Sequence, residues 1–316
     1  MRCVMLFPGQ GNLEITSLKH LYQKLPEAKQ LIAIASDYVK EDFSSIIESE
    51  NLQETRFQQP LVCILSAAYL SRFKKLNAVI VAGHSLGELT ACYAAGVFSF
   101  EALVHIAYAR GKLMQEAAEL CDGGMLVTIG VECQTLKQLI NDNNYTNRVF
   151  IANINSDKQI VLSGLRSDLS DFDLFFKMKT CGVTRWLKVN GAWHSRYVLP
   201  VLDNFKKVLD SYEFNSPHKK LYMSFPLTES FIIEQIKTNL VEQICTPVYW
   251  SSLIKHIANE EKPMAFIEIS LNSVLKGLNK NIIPEIATYS IGDKTDERKL
   301  FQLSSEVGSN NDVFSL

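Results

Sequence analysis

Hydrophobic positions along the chain fall into two textures, short unbroken apolar runs and longer stretches of helical period. Cys3–Phe7 is such a run, ahead of a Pro-Gly turn, and is predicted as the first strand. Helical spacing follows over about residues 16–24, 27–39 and 58–75. In the last of these, PLVCILSAAYLSRF is apolar on most faces, which predicts a deeply buried helix. AVIVA at 78–82 has the texture of a central parallel strand covered on both faces. It runs into GHSLGE and then TACYAAGVF, a helical pattern, and a further helix is predicted from about Phe100 to Leu120.

After residue 120 the rhythm changes. GMLVTIG reads as a strand, 132–142 as a helix, RVFIANI and QIVLSG as strands, 166–180 as a helix and TRWLKV as a strand. That order, βαββαβ, is the ferredoxin-like split unit. From about 190 the larger pattern resumes, with strands at KLYMSF, MAFIEI and IATYSI and helices near 230–240, 247–258 and 273–280. The fold expected is an α/β core with a parallel sheet, discontinuous over 1–120 and 190–302, interrupted by a small ferredoxin-like subdomain at 121–189. Residues 303–316 are polar and read as a flexible tail.

Composition narrows the function classes. With 47% apolar and 21% charged residues the chain can bury a real core. A formal net charge of -2 gives no sequence-independent pull toward nucleic acid or an anionic membrane. The seven cysteines are scattered and contain no C-x-x-C pair, against a disulfide framework and against structural zinc. The N-terminus lacks the features of a signal peptide, and no run approaches the ~18 apolar residues of a membrane span. A cytoplasmic protein is expected.

Gly83-His84-Ser85-Leu86-Gly87 fits G-x-S-x-G. The motif arises by chance in about one chain in ten of this length, so its weight comes from the strand before it and the helix after it. A serine lifted from such a turn needs glycines at -2 and +2 to relieve close contacts, and the following helix start offers free N–H groups to an oxyanion. The hydroxyl also needs a base. His20, His105, His218 and His256 lie in helical patterns or polar turns, and His84 adjoins the serine, where neighbours point apart. His194, in VNGAWHSRYV, lies in a loop at a strand edge, where catalytic residues tend to occur. No triad acid stands out, because Asp157, Asp168, Asp171 and Asp173 fall in the insert. This hints at a histidine held by something other than a carboxylate.

FPGQG at 7–11, GHSLGE at 83–88, RGKLMQ at 110–115, GAWHS at 191–195, and TPVYW with FIEI further on occur in this order. Together they resemble the malonyl-CoA:acyl carrier protein transacylases, from the first strand to about residue 290. The resemblance implies an α/β-hydrolase-like core with a ferredoxin-like insert. It implies that Ser85 is the acylated nucleophile and His194 its general base. The main-chain N–H groups of Gln10 and Leu86 would form the oxyanion hole, Arg110 would clamp the malonyl carboxylate, the main-chain carbonyl of Gln243 would orient the histidine, and Asn153 would line the cleft. No metal or redox cofactor is implied. The partners implied are malonyl-CoA and a holo acyl carrier protein or polyketide synthase carrier domain, met by a monomer, with no nucleic acid or membrane. For Arg110 a physical case stands alongside, since a planar guanidinium grips a carboxylate through two parallel hydrogen bonds and a lysine does not.

Three places depart from the family pattern. Ser270-Leu271-Asn272-Ser273 replaces a GPGK-like turn, Asn12-Leu13-Glu14 replaces a Ser-Gln stretch, and Trp193 stands where Phe is usual. TRFQQP at 55–60 and GAWHSRYV tilt the resemblance toward free-standing acyltransferases that serve polyketide synthases in trans, rather than fatty-acid synthesis. Rival readings are an acyl hydrolase that clears carrier proteins, which Arg110 argues against, and a non-catalytic docking module, which the intact Ser85, His194, Gln10 and Arg110 argue against.

Overall fold

The computed structural model describes residues 2–10, 18–19, 22–23, 25–72, 78–225, 227–229 and 231–300. Most of the helical pattern at 16–24, Gly11, the Asn12–Glu14 departure and the 303–316 tail lie outside the described residues. The strands in chain order are β1 (Cys3–Phe7), β2 (Ile80–Gly83), β3 (Gly123–Ile129), β4 (Val149–Ser156), β5 (Gln159–Leu165), β6 (Val183–Trp186), β7 (Lys220–Met223), β8 (Thr228–Glu229), β9 (Ala265–Glu268) and β10 (Ala287–Ser290). They make two sheets, β10-β9-β1-β2-β7-β8 and β4-β5-β3-β6.

The larger sheet is parallel except at its short edge strand β8. Its centre explains the unbroken apolar runs. In β1 the side chains of Cys3, Met5 and Phe7 enter one core with Val81, Leu221 and Ile267, while Val4 and Leu6 enter a second core with Ile80, Ala82 and Phe266. A strand buried on both faces cannot alternate with polar residues. AVIVA behaves as expected: the strand it supplies runs parallel between β1 and β7 and continues to Gly83. Parallel pairing brings the carboxyl ends of β1, β2, β7 and β9 to one edge, the side on which open α/β sheets bind ligands. Pro8–Gln10, His84–Leu86 and Ser224 all leave strands there.

The smaller sheet is antiparallel throughout and has the βαββαβ order read from the sequence. Its helices, Cys133–Asp142 and Arg166–Lys179, bury Leu136, Ile140, Leu169, Phe172 and Phe176 against one face. The other face, with Met125, Val127 and Val161, joins the core that holds Trp193 and Val198. Strand β4 ties the two sheets together. Main-chain bonds join Ala152 and Ile154 to Val248 at 2.9 Å each. Just past the strand, Asp157 meets Lys255 at 2.7 Å.

The helix expected at 58–75 begins at Thr55 and runs through Pro60, with its described part ending at Arg72. Proline is best tolerated in a first helical turn, and here it stands one turn further in. Burial of Leu61, Cys63, Ile64 and Leu65 outweighs the one lost main-chain bond. The helix Phe43–Glu48 was not read from the pattern, because six residues are too few for a helical period to register. Its signal is the cap, where Asp42 accepts from the Ser45 N–H at 3.1 Å. Among the described residues no helix is long and apolar enough to cross a membrane.

Candidate active site

Ser85 stands on the turn between β2 and the helix Gly87–Ala94, with φ 52. The turn is pinned by the His84 N–H on the Phe7 carbonyl and the Gly87 N–H on the His84 carbonyl, both 2.9 Å. A Cβ on Gly83 would lie 2.1 Å from the Gly87 carbonyl carbon, and one on Gly87 would lie 2.0 Å from the Phe7 oxygen. Both glycines are therefore dictated by backbone against backbone. Gly9 packs against the same turn, since a Cβ there would lie 3.5 Å from that of Ser85, so Gln10 is carried beside the nucleophile. Among the described residues neither the Gln10 nor the Leu86 main-chain N–H has an acceptor.

Five described residues other than glycine have positive φ: Lys40, Ser85, Asn144, His194 and Lys262. Lys40, Asn144 and Lys262 close helices, where left-handed residues are ordinary. The remaining two are the serine and the histidine singled out from sequence, and their side chains meet. Ser85 Oγ lies 2.8 Å from His194 Nε2. His194 Nδ1 lies 2.8 Å from the Gln243 carbonyl and 3.1 Å from that of Thr246. Carbonyl oxygens only accept, so the ring proton belongs on Nδ1 and Nε2 keeps its lone pair for the serine hydroxyl. Burial first, and then the nearby Arg110 charge, pull the imidazole down to a pKa of about 3. The arrangement is a neutral base on an alcohol.

Arg110, on the helix Phe100–Glu119, is buried. Its Nη1 donates to Gln59 Oε1 at 2.8 Å and its Nη2 to Gln243 Oε1 at 3.1 Å, with Ser85 Oγ at 3.4 Å. Burial lowers its pKa only to about 10, so it stays cationic at neutral pH. Among the described residues no carboxylate lies within ion-pair distance. Glu88 is nearby but is held by the Ser224 N–H at 2.8 Å and hydroxyl at 2.6 Å, and burial raises it to about 7. A desolvated cation whose hydrogen-bond acceptors among the described residues are two amide oxygens and the nucleophile hydroxyl, with no ion pair, is a site prepared for an anion.

Six of the seven residues chosen from sequence thus lie together. The seventh, Asn153, is buried in β4 at the Val248 bridge, and among the described residues its side chain bonds to neither Ser85, His194 nor Arg110. The residue of ANINS that reaches the turn is Asn155, two positions on and inside the register shift between Ile154 and Ser156, whose Oδ1 lies 3.0 Å from His84 Nε2. Gln59, Glu88 and the Gln243 side chain were also missed. Gln59 lay inside the TRFQQP segment, and Gln10 joins it, with its Oε1 accepting from Gln59 Nε2 at 3.3 Å. Trp193 belongs to the core, and its buried indole N–H has no partner among the described residues.

An activated serine at the carboxyl edge of a parallel sheet, with its histidine held by carbonyls, marks an α/β protein built for acyl chemistry. Residues 4–291 match the acyl transferase domain family, and the chain belongs to that family. It is 32% identical to the malonyl CoA-acyl carrier protein transacylase of Bacillus subtilis, over 98% of this chain and 99% of that one. It is 30% identical to the polyketide biosynthesis protein ThaF of Burkholderia thailandensis, over 90% of this chain but only 24% of that protein. Among solved structures, the malonyl-CoA:acyl carrier protein transacylase of Helicobacter pylori superposes with a TM-score of 0.88 at 29% identity, covering 97% of this chain and 99% of that one. A malonyl-transacylase solved with its type II PKS acyl-carrier protein gives 0.89 at 27% identity, covering 96% of this chain and 100% of that one.

Two outcomes follow from the geometry. A Cβ on Gly191 would fall 2.1–2.5 Å from the outer ring atoms of Trp193. Gly191→Ala should therefore lower the melting temperature clearly in the native background and much less in the Trp193→Phe background, where those atoms are gone; equal losses in both would disprove the steric coupling. The second concerns protons. His194 titrates near 6.5 in an unfolded chain and near 3 here, so between those values the unfolded chain binds the extra proton and stability falls as pH drops through that window. Labelling of Ser85 by a fluorophosphonate should accordingly stay flat from neutral pH to about 5. Half-maximal labelling near 6.5 would show that the base is an ordinary exposed imidazole.

Proposed function

We propose that this enzyme moves a malonyl group from malonyl-CoA to the phosphopantetheine thiol of an acyl carrier protein through an ester on Ser85. The observation that carries the reading is the 2.8 Å contact of Ser85 Oγ with His194 Nε2, made beside a buried guanidinium that lacks a carboxylate partner among the described residues. The family match and the transacylase names of its relatives support the same reaction.

In the first half-reaction the Ser85 hydroxyl gives its proton to His194 Nε2 as Oγ attacks the thioester carbonyl. The resulting oxyanion sits against the Gln10 and Leu86 N–H groups, each such donor stabilising the transition state by about 3 kcal/mol. Collapse breaks the C–S bond, and the proton on His194 leaves with coenzyme A. In the second half the carrier thiol gives its proton to His194, attacks the malonyl ester, and serine leaves with that proton. Neither half calls for a metal or redox group. Arg110 holds the distal carboxylate in both halves, which fixes the acyl carbonyl against the oxyanion donors and leaves an approaching water little room. We assign the enzyme to a polyketide synthase that it serves in trans, a reading supported by ThaF and by the relative solved with a type II PKS carrier. We place it in the cytoplasm, where its seven free thiols would persist.

Incubation with malonyl-CoA should give a covalent adduct on the intact protein that is absent in Ser85→Ala and is discharged by holo carrier protein. An adduct that persists in Ser85→Ala would sink the scheme. Arg110→Ala should cut the preference for malonyl over acetyl thioesters by roughly 30-fold or more, as truncation of a desolvated charge pair does. Unchanged selectivity would remove Arg110 from the carboxylate site.

A further inference from the structure

Gln243 closes the helix Ile233–Glu242 and is 3% exposed. Its main-chain carbonyl takes the His194 Nδ1 proton. Its side chain makes two further bonds in the same site. Oε1 accepts from Arg110 Nη2 at 3.1 Å, and Nε2 donates to the main-chain oxygen of Ser85 at 2.5 Å. One primary amide thus lies between the cation and the peptide of the nucleophile. Hydrogen bonds that share an amide reinforce each other, because an acceptor oxygen that faces a cation makes the amide nitrogen a stronger donor. The peptide at the far end is strained, with Ser85 in the left-handed region. Arg110 Nη2 has a competing acceptor in Ser85 Oγ at 3.4 Å.

We propose that the side-chain amide of Gln243 is a positioning and selectivity element, coupling occupancy of the Arg110 guanidinium by the substrate carboxylate to the alignment of the Ser85 turn. The inference rests on the acyl-serine reading above. When a carboxylate takes the guanidinium, the Arg110 plane is fixed between that anion, Gln59 and Gln243, and Nη2 is drawn off the serine hydroxyl. Gln243 then braces the Ser85 carbonyl against a stationary partner, and the hydroxyl is free to face His194. An acetyl thioester brings no carboxylate. The guanidinium then stays shared between Gln243 and the nucleophile, and the hydroxyl is less available. Discrimination against acetyl therefore arises partly in the acylation rate and not only in binding.

Gln243→Leu removes the amide and leaves the main-chain carbonyl that holds His194. Gln243→Glu keeps the shape and places an anion on Arg110. Single-turnover acylation by malonyl-CoA and acetyl-CoA, followed by intact mass, separates rate from affinity. For Gln243→Leu we expect the malonyl acylation rate to fall by on the order of tenfold or more beyond any fall in the acetyl rate, the size expected for a lost charge-assisted bond. The acid limb of fluorophosphonate labelling should not move, since the Nδ1 acceptor is intact, whereas general disruption of the site would move it. For Gln243→Glu we expect weaker malonyl-CoA affinity and a lost malonyl preference in a protein that melts normally. The proposal is overturned if either variant keeps the malonyl-to-acetyl ratio of acylation rates within about twofold, whether or not both rates fall together. Absence of any Ser85-dependent adduct in the unmodified enzyme would instead overturn the acyl-serine reading, and the coupling with it.

Discussion

The site depends on one hydrogen bond, from His194 Nδ1 to a main-chain carbonyl. A carboxylate would orient the ring as well and would make it a stronger base. It would also stand a few ångströms from Arg110 in a dry pocket, and the two would pair. The guanidinium would then have no charge left to offer a substrate. Carbonyls from Gln243 and Thr246 fix the tautomer without bringing a negative charge. The missing triad acid and the unpaired arginine are two sides of one electrostatic constraint. Glu88 fits the same logic. Its buried carboxyl is close enough to act on Arg110, and burial raises it to about 7 against the Ser224 donors, which favour its anion.

The second constraint is steric and belongs to the fold. The parallel sheet delivers the end of β1 so close to the Ser85 turn that a Cβ on Gly87 would meet the Phe7 and Pro8 main chain, and the turn is so tight that one on Gly83 would meet the main chain of Gly87 and Glu88. The strain at Ser85 and His194, of order 1–3 kcal/mol each, is held by what surrounds them. His84 is anchored to Phe7 by its N–H and to Asn155 by its ring, and His194 is anchored by its own N–H on the Ile244 carbonyl. Asn155 comes from the smaller sheet, so the nucleophile turn is built from both sheets and not only from the strand that leads into it.

These constraints also separate what the sequence disclosed from what it withheld. The strands of both sheets apart from β8, most of the longer helices, Ser85 and His194 were legible because each has a local signature, an unbroken apolar run, a helical period, a G-x-S-x-G turn, or a histidine in a loop at a strand edge, whereas Phe43–Glu48 and Leu202–Asp210 were not read. The Leu86 N–H was legible from the turn as well, since it lies at the helix start just past the serine, whereas Arg110, Gln10 and the Gln243 carbonyl became legible only through resemblance to a family. Gln59, Asn155, Glu88 and the Gln243 side chain were not legible at all. Their contacts join residues 51, 71, 136 and 133 positions apart, and a lone glutamine or asparagine carries no periodic or compositional mark of being a partner. The choice of Asn153 over Asn155 shows the limit well. Asn155 falls in a register shift of β4 between Ile154 and Ser156, so simple alternation along the strand does not tell which of the two reaches the nucleophile turn.

Trp193 bears on where selectivity can reside. A larger aromatic beside the base suggests a narrowed acyl pocket, yet the ring faces Gly191 and the main core, and its N–H has no hydrogen-bond partner among the described residues. A buried donor left unpaired costs about 1–3 kcal/mol, which the added ring burial must offset within the core. The residue therefore shapes the loop that presents His194 more than it shapes the space for the acyl group. That leaves the cation and its amide neighbours as the features able to tell a dicarboxylic acyl group from a simple one. Gln59 and Gln243 hold the guanidinium from two directions while adding no charge of their own. A neutral cradle preserves the full attraction for the substrate carboxylate, and its rigidity limits the rotamer entropy that a free arginine would lose on binding.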